Sequence, residues 1–153
     1  MNRCRPLASA AEEGAAAAEA AVIMPVLLLA MVGVFEFGRA FWTYNTMQLA
    51  IEDAGRYAMV YNHGSPAACG AQQQASNCPS LSNTSLANCA AWHAKQVLSA
   101  YQLPDISVSV QEDASSSPAT ATVCASFSFN FNAPRLLPYG PLELTSRVTV
   151  PLL

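Results

Sequence analysis

Charge is scarce in this 153-residue sequence: 11% of the residues are charged and the formal net charge is −3. That balance leaves no basic footprint for nucleic acid. Catalytic patterns are missing as well, with no nucleophile–base pair, no glycine loop to cradle phosphate and no paired carboxylates, so an enzyme is not expected. Cys89 and His93 lie four residues apart on a helical stretch, but no CxxC and no second ligand pair accompany them, so neither a metal nor another cofactor is expected. Gly33 and Gly38 lack GxxxG spacing and read as plain packing residues. A secretory signal peptide is excluded because its apolar region would precede a small-residue cleavage site, whereas here Gly14 comes before the apolar run.

What the sequence does have is apolar content, 52% of residues, concentrated in the N-terminal third. From Ala15 to Phe35 the sole ionisable group is Glu19. At 1.5 Å per residue such a run makes about 30 Å of helix, enough to cross a bilayer core. A carboxylate is expensive in hydrocarbon, which marks Glu19 as a functional residue. The helical pattern continues past membrane length through Glu36, Arg39, Glu52, Asp53 and Arg56, interleaved with Phe37, Phe41, Tyr44, Leu49 and Ile51. One long helix is expected, half in lipid and half out, with Pro25 removing one backbone hydrogen bond within it. Arg3 and Arg5 favour a cytoplasmic N-terminus.

After this helix the chain changes character. Asn62-His63-Gly64-Ser65-Pro66 is a cluster of turn formers, followed by a polar loop that contains Cys69 and Cys78. Asn83-Thr84-Ser85 offers capping residues for a second helix through Tyr101, with Leu86, Ala90, Ala94, Val97, Leu98 and Tyr101 on one face and Pro104 as its stop. Three alternating runs then read as strands: Ile106 to Val110, Ala121 to Phe131 and Leu142 to Val150. Turns are expected from Asp113 to Pro118 and at Ala133-Pro134. The fold class is therefore α+β, a long N-terminal transmembrane helix and a small head with one helix packed on a roughly three-stranded antiparallel sheet. The divisions are a hydrophilic leader over residues 1–14, the long helix over 15–61 with its membrane-spanning part ending near residue 35, the cysteine-containing loop over 62–84 and the head over 85–153.

Of five cysteines, Cys4 precedes the apolar run, and Cys69, Cys78, Cys89 and Cys124 follow it. Cys4 reads as incidental. The other four, in a small polar head, suggest an oxidising compartment and up to two disulfides, with three connectivities open. Cys124 has the opposite strand parity from Val123 and Phe127, so a bridge to the preceding loop is easier than one to Cys89 on the helix that covers the aromatic face.

Gly14, a four-residue spacer and Glu19 at the head of an apolar helix resemble the processing site of type IV pilin-like proteins. Ala20 to Leu29, Phe35-Glu36-Phe37-Gly38-Arg39, and Gln48-Leu49-Ala50 with Asp53-Ala54-Gly55-Arg56-Tyr57-Ala58 are together similar to the signature block of the TadE-like proteins of tight-adherence (Flp, type IVb) pilus systems. Gly55 stands where an alanine is more usual. The resemblance implies a minor pilin or pseudopilin, cut by a prepilin peptidase between Gly14 and Ala15, with Glu19 then at the fifth position as an assembly contact. It also implies an inner-membrane location with a periplasmic head, incorporation into a pilus, and as partners the peptidase, other pilin-like subunits, pilus or type II secretion-like machinery and membrane lipid. The alternative is an uncleaved single-pass protein whose disulfide-stapled head binds a ligand or an envelope partner.

Overall fold

A computed structural model describes residues 8–61, 69–103, 105–132 and 140–152, with side chains from residue 14 onward. Cys4, the turn cluster at 62–66, Pro104 and Ala133-Pro134 lie outside the described residues. The elements are α1 (Ala8–Val60), α2 (Ser85–Ala100), β1 (Ser107–Asp113), β2 (Thr120–Phe129) and β3 (Leu142–Pro151). The chain divides into two compact units between Gly38 and Arg39. The first is the N-terminal part of α1, a single α-helix that runs through Pro25. Its apolar side chains, from Val22 to Phe35, are exposed.

The second unit is a two-layer α+β head. Its sheet is an antiparallel meander in the order β1-β2-β3. The register sets Val110 opposite Val123 and Val123 opposite Val148, so the apolar residues of all three strands share one face. Two helices cover that face. α2 contacts β1, and the last turns of α1 follow β3, with Gln48 Nε2 donating to Ser146 Oγ at 3.1 Å. Residues Ala40, Thr43, Met47, Ala50, Ala54 and Ala58 of α1 are buried at the three- and four-residue spacing of one helical stripe. The hydroxyls of Thr43 and Thr46 bond the carbonyls of Arg39 and Trp42 four residues back, which satisfies them in an apolar setting. Ala50, Ala54, Ala87, Ala90, Ala91 and Ala94 are all essentially fully buried, small side chains that let the helices and the sheet approach closely.

Gly55 sits at one such close approach. A Cβ there would lie 3.0 Å from Val150 Cγ1 and 3.6 Å from Val148 Cγ1. Gly55→Ala sets a gain in helix propensity of about 1 kcal/mol against that contact, and a change in stability of less than about 1 kcal/mol is expected. Gly55→Val places branched methyls against both valines and is expected to cost about 1–3 kcal/mol, read as a lowered midpoint in chemical denaturation.

α2 begins as its sequence suggests. Thr84 is the N-cap, its hydroxyl accepting from Ala87 N at 3.1 Å while donating to a Glu112 carboxylate oxygen. Its buried face is broader than the predicted stripe, taking in Ala87, Cys89 and Ala91, because it meets both the sheet and α1. Tyr101 leaves that face: it is the C-cap and 44% exposed. The helix closes with Gln102 N bonding Ser99 O, Leu103 N bonding Leu98 O and Gln102 left-handed at φ 61°, a pattern that turns the chain back.

The β1–β2 turn is tied at its start by Asp113, whose Oδ1 accepts from Ser115 N at 2.9 Å and from Ser115 Oγ at 2.5 Å. Those two bonds, the hydroxyl first, hold its carboxyl below the ordinary aspartate value, so their support of the turn is present above that value and is lost as pH falls through the lowered one.

Candidate functional site: the anchor helix and the stapled head

Gly14 and Ala15 both lie within α1, which begins at Ala8, and both are exposed. Glu19 lies on a helical stripe with Ala16, Ala20, Ile23, Met24 and Leu27, which line a shallow surface groove of about 430 Å³. The spacing of three and four residues puts one carboxylate at the head of an apolar ridge. The helix over Gly14–Val60 is long and apolar enough to cross a membrane, with a mean hydropathy of 2.3 in its best window.

In the head, the structure joins Cys69 to Cys89 and Cys78 to Cys124. Cys124 lies opposite Ser109 in the ladder, on the face away from the two helices, and both are buried there with Ser126. Strand parity thus delivers its sulfur to the loop. With Cys89 in a disulfide its sulfur is not available to share a metal with His93. The imidazole instead stacks on Tyr57 at 5.2 Å, and its buried Nδ1 lies 3.3 Å from Asp53 Oδ2. That contact is within ion-pair reach but lacks hydrogen-bond geometry.

Where α1 enters the head, Arg39 donates to Asn130 O at 2.6 Å and lies 4.7 Å over the Phe129 ring. With Trp42, Thr43, Leu103 and Phe127 these residues line a cavity of about 270 Å³.

Residues 14–56 match the TadE-like protein family. A TadE-like segment implies involvement in tight-adherence pilus assembly, and the match covers Gly14, Ala15 and Glu19 together with most of the part of α1 that packs in the head's core. The head beyond residue 56 lies outside it. No curated protein and no solved structure matches the chain.

The four head cysteines are brought together in pairs, whereas Gly14, Ala15 and Glu19 belong to the other unit. Two residues that organise the head read in the sequence only as loop composition. Gln72 acts as a strand made from one side chain: its Nε2 donates to Val110 O at 3.2 Å and to Ser82 O, and its Oε1 accepts from Val110 N at 2.7 Å. Ser82 completes the cover of the β1 edge, its N donating to Val110 O at 2.9 Å and its Oγ accepting from Glu112 N at 2.9 Å. Capping an edge in this way removes a template for unwanted strand pairing. Gln74 ties the loop to itself through the carbonyls of Ala75, Cys78 and Pro79 and the N–H of Leu81. No periodicity marks such glutamines, because their partners are backbone groups distant in sequence.

Proposed function

We propose that the protein is a minor pilin or pseudopilin, a structural rather than enzymatic subunit of a tight-adherence (type IVb) pilus or a related type II secretion-like assembly. The observation that carries this reading is Glu19, a carboxylate exposed on the apolar stripe of a membrane-length, TadE-like helix. A prepilin peptidase cuts between Gly14 and Ala15 on the cytoplasmic face of the inner membrane, freeing the α-amino group of Ala15 as a cation near Glu19. Parallel packing of subunits then pairs the Glu19 of one with the amine of its neighbour. A charged side chain in the bilayer costs about 2.5–3.5 kcal/mol or more, and pairing relieves that cost only when the two helices are in one register. The head sits in the periplasm, an oxidising compartment that suits two disulfides. A strain that lacks the gene should lose its surface pili in electron micrographs and regain them on complementation; undiminished piliation would count against the reading.

A further inference from the structure

We propose that the head first closes a mispaired Cys69–Cys78 bridge and reaches its final pairing through a disulfide isomerase, a partner that presents a reduced, reactive cysteine thiolate. This rests on the reading that the head crosses into an oxidising compartment. The final bridges interleave along the chain, because Cys69 joins Cys89 and Cys78 joins Cys124. They close separations of 20 and 46 residues. The shortest closures are non-native: Cys78 lies nine residues from Cys69 and eleven from Cys89. Since the cost of closing a loop grows with its length, Cys69 in the unfolded chain meets Cys78 about three times as often as Cys89. Cys78 likewise meets Cys69 about ten times as often as Cys124. Export adds to this bias, because Cys124 crosses after the other three.

The fold makes the wrong bridge slow to correct. Each final bridge joins a half-buried loop cysteine, Cys69 or Cys78, to one enclosed in the head, Cys89 on α2 or Cys124 on β2. A Cys69–Cys78 bridge consumes both loop sulfurs and leaves both enclosed thiols. Those two do not meet in the folded layers, since Cys124 lies on the face of the sheet away from the helices. Enclosure also makes them poor attackers of the loop disulfide. The steps balance as follows. Cys69 and Cys78 give two electrons and two protons to a thiol oxidase, whose own disulfide becomes two thiols. The isomerase thiolate attacks Cys69 Sγ, forming a mixed disulfide and releasing Cys78 as a thiolate. The freed loop carries Cys69 to Cys89, whose thiolate attacks the same Cys69 Sγ and returns the isomerase thiolate. A second round at the oxidase takes two electrons and two protons from Cys78 and Cys124 and closes their bridge.

The test follows the full chain, carrying Cys4→Ser, in native-host cells with and without their periplasmic disulfide isomerase. Thiols are trapped by acid, labelled with one maleimide before reduction and a second after it, and located by fragmentation mass spectrometry, with bridged fragments also sequenced unreduced. The expected result in the strain lacking the isomerase is a chain with Cys69 bridged to Cys78 and with Cys89 and Cys124 free. Purified isomerase with reduced and oxidised glutathione should convert that chain to the final pairs. Final pairs that form equally fast in both strains overturn the inference and leave the oxidising-compartment reading intact. Cys78 held to Cys89 in place of Cys69 also overturns it. Four free thiols in both strains bring down the compartment reading, and the inference with it. If the strain lacking the isomerase degrades the chain, reduced full chain reoxidised in detergent by oxidised glutathione, with and without the isomerase, is scored in the same way.

Discussion

Glu19→Ala is expected to strip cells of pili while the protein still inserts in the membrane. The substitution replaces the one carboxylate on the Ala16–Leu27 stripe by the best helix former, so the apolar run becomes longer and more favourable to lipid. What is lost is the partner for a neighbour's α-amino group. A hydrogen bond to a charged group contributes about 1.5–3 kcal/mol, which corresponds to roughly ten- to a hundredfold in an assembly equilibrium. Glu19→Gln keeps a hydrogen-bond acceptor without the charge and should fall between the two. Pili counted by electron microscopy, set against the protein's level in carbonate-washed membranes, read the two effects separately. Normal piliation with Ala at this position would rule out the pairing mechanism.

The second large effect is expected in the head. Cys78 and Cys124 close a loop of 46 residues' separation, against 20 for Cys69 and Cys89. On the loop-entropy model, replacing Cys78 and Cys124 together by alanine should lower stability by about 4 kcal/mol, and replacing Cys69 and Cys89 by about 3 kcal/mol. Domains of this kind are held by only about 5–15 kcal/mol, so the first loss is a large fraction of the whole. The consequence is also local. Cys78 belongs to the segment whose Gln72 and Ser82 cap the β1 edge, so the amides of Val110 and Glu112 should exchange with solvent faster than those of Val123 once the staple is gone. Denaturant titration of the full chain in detergent, with hydrogen exchange on the same sample, checks both statements. A change under about 1 kcal/mol would mean that the burial of Cys124 alone supports the strand.

Much of this architecture was legible because it rests on periodicity and on local chemistry. Alternation marked the three strands, although β1 runs on to Asp113 because its partner β2 continues to Thr120, a cross-strand cause that β1's own sequence does not carry. The Thr84 cap was readable from a hydroxyl before an apolar stripe, and the direction of Cys124 from a strand period of two. Other features follow from tertiary contact and leave no local mark. The stretch from Ala40 to Ala58 has apolar side chains on several faces, and only the sheet selects the one that is buried. Gly55 reads in the sequence as a minor departure from the usual alanine, and the structure places Val150 beside it. In the TadE-like segment the order was reversed: the spacing of Gly14 and Glu19 carried the functional reading, and the structure adds the exposed apolar stripe on which Glu19 lies.

The central claim is that this chain is made as a precursor and enters assembly through the helix head that begins after Gly14. N-terminal sequencing of the protein purified from its native membrane bears on it most directly. A mature chain that starts at Ala15, with Glu19 fifth, is the predicted result. An intact Met1 on protein from piliated cells would contradict it and return the chain to the uncleaved single-pass alternative, in which the stapled head alone carries the function.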